Sequence, residues 1–128
     1  MSEIEGVGVD LVEVERIQNL VERWGDRFLA RVFTPHEVEY CMRRSGSYER
    51  LAARFAAKEA VFKAIGRGWG QGTAWNEVEI RSDQRSRPRV VLRGGVQSLA
   101  AGRDVMVSLS HTSTHAVAVA AIRRRSKA

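Results

Sequence analysis

Cysteine is all but missing from this chain of 128 residues, with Cys41 the only one. Its isolation excludes an intrachain disulfide and any zinc site built on several thiolates. No stretch rich in proline, glycine or serine divides the sequence, so it reads as a single domain over 1–122 followed by a basic tail over 123–128. Long apolar runs are missing too: segments such as Ala116 to Ile122 fall far short of the roughly 20 residues that a membrane helix needs. Met1 to Glu5 has neither the basic start nor the apolar centre of a signal peptide, so a cytoplasmic protein without a membrane partner is expected.

Acidic residues are the scarcer charge. Lysine and arginine total 21 against 15 aspartates and glutamates, a formal charge of +6. This excess favours an acidic partner, whether nucleic acid, a polyphosphate ligand or an acidic protein. Part of it sits in Arg123, Arg124, Arg125 and Lys127, which as a terminal run read as a mobile end. There is no recognition helix, aromatic stacking platform or zinc-finger spacing to support nucleic-acid recognition.

What the chain does have is an ordered series of elements. Ile4 to Asp10 predicts a strand closed by Asp10, with Gly6 and Gly8 allowing something to approach its backbone closely. Val14, Ile17, Leu20, Val21 and Trp24 recur at helical spacing, predicting an amphipathic helix over 12–24 that exposes Glu13, Arg16 and Arg23 and stops at Gly25. A short helix is expected over 26–33. Thr34-Pro35-His36-Glu37 then has the pattern of a capping box with proline in the first turn, opening a helix to about Arg43. A long helix runs from about Tyr48 to Ile65, with Gly66 as its stop. The glycine-rich segment from Gly66 to Thr73 carries Arg67 and Trp69 but lacks the lysine and hydroxyl pattern of a phosphate-binding P-loop. Strands are expected over 77–81, 89–93, 104–110 and 116–123, with a short helix over 95–101 and the last two strands joined as an antiparallel pair through Ser110 to His115.

Projected at about 100° per residue, the long helix puts Leu51, Phe55, Phe62 and Ile65 on one arc and Ala53, Ala57, Ala60 and Ala64 on another. Glu59 and Lys63 share a third strip beside Ala52 and Ala56, where small neighbours leave room for a ligand or a backbone. Lys58 falls among the apolar residues and needs either a route to water or an anionic partner.

Asp10 and Glu59 are hard oxygen donors of the kind that magnesium takes in ones or twos alongside substrate phosphates. The structural alternatives are an Asp10 helix cap and a Glu59–Lys63 surface pair, the latter worth only about 0.3–0.5 kcal/mol. Lys63, one turn beyond Glu59, would meet a ligand held by a Glu59-bound ion, and Arg54 and Lys58 form another one-turn pair; for these three cations a solvated basic stripe is the alternative. His111 and His115 are four apart in a turn with no third nitrogen or sulfur donor near them, which argues against zinc and leaves His111 as an ordinary turn residue or a phosphate contact. His36 reads as structural.

The segments GVGVDLVEVERI, RFAAKEAVFKAIGRG and VSLSHTSTHAVAVA, in this order from Gly6 to Ala121, resemble those of the holo-[acyl-carrier-protein] synthases, the short-chain phosphopantetheinyl transferases. The resemblance implies transfer of the 4'-phosphopantetheine arm of coenzyme A to a serine of apo-acyl carrier protein in fatty acid biosynthesis, with release of adenosine 3',5'-bisphosphate. It implies Mg2+ held by Asp10 and Glu59, Lys63 at the transferred phosphate, Arg54, Lys58 and His111 near the nucleotide and its phosphates, and Arg16 offered to the acidic carrier. It also implies an α+β fold, an antiparallel sheet with a long central helix, in a homotrimer that binds coenzyme A between subunits.

In such a reaction the carrier serine attacks the β-phosphorus of coenzyme A, and positioning and electrostatics supply most of the catalysis. Glu59, a water at the metal or a neutral Lys63 could take the serine proton. A nucleic-acid-binding module and a magnesium-dependent hydrolase of nucleotide pyrophosphates are the competing readings.

Overall fold

A computed structural model describes residues 3–66, 72–82 and 87–125. In chain order the elements are β1 (Ile4–Glu13), α1 (Val14–Trp24), α2 (Asp26–Val32), α3 (Pro35–Met42), α4 (Ser47–Ile65), a 3₁₀ turn (Trp75–Glu77), β2 (Val78–Arg81), β3 (Arg89–Leu92), α5 (Gly94–Leu99), β4 (Arg103–His111) and β5 (His115–Arg124). The strands form two antiparallel sheets, β1-β5-β4 and β2-β3, and α4 packs against both.

Asp10 does not end the first strand. β1 continues through Glu13 because Leu11, Val12 and Glu13 keep pairing with Val117, Ala116 and His115 of β5, which delays the start of α1 to Val14. The other boundaries follow local chemistry. The Thr34 hydroxyl accepts from the Glu37 N–H, the Glu37 carboxylate accepts from the Thr34 N–H, and Pro35 opens α3, completing the expected capping box. α4 stops at Gly66, whose φ of 88° lies in the left-handed region that glycine tolerates. β4 and β5 pair as an antiparallel hairpin across Thr112 to Thr114. Residues 67–71 of the glycine-rich segment and 126–128 of the basic tail lie outside the described residues.

The two glycines of β1 set how the sheet meets α4. A Cβ on Gly6 would collide with the carbonyl oxygen of Ala64, and one on Gly8 with that of Ala60 while standing 2.8 Å from the Ala64 nitrogen. Strand and helix backbones thus touch directly, with the alanine arc of α4 facing the sheet. Gly6, Gly8, Asp10 and Val12 point toward α4, as do Ala116, Ala118, Ala120 and Ile122 of β5. Cys41 is fully buried in this core, and burial pushes its thiol up to about 11, so it is an inert packing residue.

Pleating sends the alternate side chains outward. Val7, Val9 and Leu11 of β1 are 62%, 55% and 66% exposed, and Val117, Val119 and Met106 join them on one apolar face. The arginines read as a mobile end are partly built into the fold: Arg123 and Arg124 belong to β5, and Arg125 donates to Asp104 at 3.0 Å.

Candidate active site

Between the two glycine contacts the chain advances two residues along β1 while moving back four along α4. The steps match, about 6.6 Å in a strand and about 6 Å in a helix. Asp10 lies two residues further along β1, and Glu59 sits in the α4 turn that precedes Ala60. Helical side chains lean toward the N-terminus, and Lys63 reaches back along this seam. Its Nζ donates to Asp10 Oδ1 and to the Val9 carbonyl, each at 3.0 Å. Glu59 turns away from Lys63 and accepts from the Trp75 indole Nε1 at 2.9 Å through Oε2. The structure therefore joins Asp10 to Lys63 across 53 residues of sequence, and the one-turn Glu59–Lys63 ion pair does not form.

The donor set fits magnesium. Asp10 and Glu59 each have one oxygen engaged, and among the described residues Asp10 Oδ2 and Glu59 Oε1 accept no hydrogen bond, matching an ion that takes one or two carboxylates and fills its other positions with water and phosphate oxygens. The described residues contain no group of three or more histidine, cysteine, aspartate and glutamate side chains placed to hold a metal. Lys63 has two of its three N–H groups committed and its side chain is 55% exposed, so one donor is left over.

The solvated-stripe reading of Lys58 does not hold, and the anionic partner that its apolar setting calls for is present. Lys58 is completely buried: its ammonium pairs with Glu37 Oε1 at 2.7 Å and donates to the carbonyls of Val78 and, at 3.3 Å, Trp75. Three donors meet three protein acceptors, leaving none for a ligand. Burial pushes this ammonium below its ordinary value of 10.5, and the Glu37 carboxylate opposes that shift. Glu37 in turn accepts from the Ile80 N–H at 2.8 Å, so a single carboxylate caps α3, neutralises α4 and anchors β2. Beside it, Thr34 donates to Glu79 at 2.5 Å, and Arg81 and Arg93 grip the same carboxylate at 2.7 and 3.1 Å. Burial alone would raise the Glu79 carboxyl, but these donors hold it at about 2.

Arg54 is also enclosed, at 4% exposure, which removes the solvated-stripe alternative for it as well. Its guanidinium lies 4.4 Å from the Tyr40 ring centroid, and its buried Nε has no hydrogen-bond partner among the described residues. His111 ends β4, exposed and without a side-chain hydrogen bond among the described residues. Because β5 lies between β4 and β1, His111 is two strand spacings, roughly 9–10 Å, from the strand that carries Asp10. One chain therefore joins Asp10 to Lys63, on the helix that also carries Glu59, and leaves His111 apart. Arg16 projects from α1 over the Phe55 ring at 5.8 Å. Arg23 and Arg27 flank the half-exposed Trp24 at 5.2 and 5.7 Å, a basic and aromatic surface that the sequence reading reduced to Arg16. Trp75 has no place in the sequence pattern, although a tryptophan just ahead of a strand carries an indole N–H in need of an acceptor.

A profile described as the 4'-phosphopantetheinyl transferase superfamily matches residues 6–120, a span that includes every residue of this cluster. The chain belongs to that superfamily. Among its relatives, the holo-[acyl-carrier-protein] synthase of Desulforudis audaxviator is 50% identical over 120 residues, covering 91% of each sequence. That of Koribacter versatilis is 46% identical over 118 residues, covering 90% of this chain and 94% of the relative. A crystal structure of the Bacillus anthracis holo-(acyl-carrier-protein) synthase in complex with CoA (3',5'-ADP) superposes with a TM-score of 0.79 at 32% identity, covering 94% of this chain and 97% of that one. The α+β architecture is thus that of solved superfamily members.

Proposed function

We propose that the seam between β1 and α4 performs phosphopantetheinyl transfer. The chain moves 4'-phosphopantetheine from coenzyme A to a serine hydroxyl of an apo-acyl carrier protein and releases adenosine 3',5'-bisphosphate. The observation that carries this reading is the close approach of Gly6 and Gly8 to α4, which seats Asp10 against Lys63 on the helix that also bears Glu59.

Asp10 and Glu59 would hold magnesium through the oxygens that their protein partners leave open. The ion supplies Lewis-acid stabilisation of charge on the phosphoryl oxygens. Lys63 keeps one ammonium N–H for the transferred phosphoryl group, and its hold on Asp10 and the Val9 carbonyl fixes that donor before substrate arrives. As the serine oxygen gives up its proton to Glu59 or to a water and bonds to the β-phosphorus, the bond to the bridging oxygen breaks and adenosine 3',5'-bisphosphate leaves with the negative charge, which Lys63 beside the phosphoryl group stabilises. Arg54, with its unpartnered buried Nε, and His111 bind the nucleotide and its phosphates. Arg16, together with Arg23 and Arg27, receives the acidic carrier.

The working form is a homotrimer with coenzyme A between subunits. Two features support it: the exposed apolar face of Val7, Val9, Leu11, Val117, Val119 and Met106, which a second copy would cover, and the separation of His111 from Asp10 within one chain, which a neighbouring copy would bridge. The test is to incubate the protein with magnesium, coenzyme A and an apo-acyl carrier protein and to weigh the carrier. Gain of one phosphopantetheine mass is expected. Cleavage of coenzyme A without carrier would make the protein a hydrolase instead, and no product with any divalent metal would refute the transferase reading. A gel-filtration mass of three chains is expected, and a monomer mass would overturn the trimer.

A further inference from the structure

The partner of Glu59 is a neutral ring, whereas that of Asp10 is a cation, and the ring is itself fixed at three points. Lys58 Nζ holds the Trp75 backbone carbonyl at 3.3 Å. The Trp75 ring lies against Phe55 with centroids 6.1 Å apart and planes tilted by 40°. Its indole N–H meets Glu59 Oε2 at 2.9 Å. Lys58 and Glu59 are consecutive in α4 and Phe55 is one turn before Glu59, so a single stretch of helix grips Trp75 by its backbone, its ring face and its N–H. A lysine or arginine in this place would cancel the carboxylate's charge and compete with a divalent cation. An indole N–H instead satisfies one oxygen and leaves the charge intact, and rigid neutral donors of this kind orient metal ligands.

We propose that Trp75 is a positioning residue, holding Oε2 of Glu59 so that Oε1 is the oxygen offered to the divalent cation. The inference rests on the reading of Glu59 as a magnesium ligand.

The test uses Trp75→Phe, which keeps a ring against Phe55 and deletes the donor. In the transfer assay the magnesium concentration for half-maximal rate should rise about 10-fold, while the KM for coenzyme A at saturating magnesium stays within about 2-fold of the unmodified protein. A second arm needs no transfer at all. Mn2+ added to the free, nitrogen-15-labelled protein should broaden the Trp75 indole resonance ahead of that of Trp24, and Glu59→Gln should abolish the preference. Trp24→Phe and Trp69→Phe assign the three signals even if Trp75→Phe does not fold. An unchanged magnesium curve in Trp75→Phe, or equal broadening of the Trp75 and Trp24 indoles, would overturn the role of Trp75. Failure of the unmodified protein to transfer with magnesium would instead refute the transferase reading, and an Mn2+ affinity of Trp75→Phe equal to that of the unmodified protein would still overturn the positioning role.

Discussion

Lys58 and Glu59 are neighbours in one helix and lead opposite lives. Lys58 is sealed in a knot with Glu37 and the carbonyls of Val78 and Trp75, every donor spent. Glu59, one residue on and turned by about 100°, is half-buried with a single oxygen engaged. The same contrast separates Glu79, gripped by Thr34, Arg81 and Arg93, from Asp10, which keeps one oxygen open. A charge whose hydrogen-bonding capacity is exhausted inside the protein serves the fold, and a charge with capacity left over is available for chemistry.

The comparison breaks most visibly at Lys58. Lys58→Met strands the buried Glu37 carboxylate and should cost about 3–5 kcal/mol in chemical denaturation, while the KM for coenzyme A of the molecules still folded is unchanged. A raised KM at full stability would return Lys58 to the ligand. The reverse pattern is expected of Glu59→Gln and Asp10→Asn: transfer falls by roughly 10²–10³, comparable with losing one charge-stabilising group, and the thermal midpoint hardly moves. Full activity in either variant removes the metal assignment.

Glu79 sharpens the comparison through pH. Its carboxyl is held at about 2, below its ordinary value of 4.5, so its stabilising effect is complete above pH 4.5 and disappears as pH falls toward 2. The shift corresponds to something on the order of 3 kcal/mol. Urea midpoints measured across that window should show this loss, and Glu79→Gln should flatten it. The smallest effect belongs to the surface: Arg16→Glu should raise the KM for carrier protein roughly 5-fold with little change for coenzyme A, and equal effects on both would refute docking at α1.

Much of this was legible in the sequence wherever the cause is local. The Thr34-Pro35-Glu37 cap, the Gly66 stop and the β4–β5 hairpin each depend on a few adjacent residues. Asp10, Glu59 and Lys63 could be singled out from residue type and from the family resemblance, and the glycines of β1 announced a close approach whose partner proved to be the alanine arc of α4. Lys58 is visibly misplaced on an apolar arc, but the sequence around its partner Glu37 signals only a cap, and nothing local indicates that one carboxylate holds α3, α4 and β2 at once. Trp75 lies in a one-turn element too short to show a period, so its hold on Glu59 emerges only when α4 and the 3₁₀ turn are placed side by side.

The adjacency of Lys58 and Glu59 makes the length of α4 a constraint as strict as its composition. Inserting or deleting one residue ahead of Ser47 leaves the register of the helix intact, but the same change between Ala60 and Ala64 would rotate Lys63 away from Asp10 and lift Ala64 off Gly6. Variation in chain length is therefore expected in the segment ahead of α4 and not within its second half.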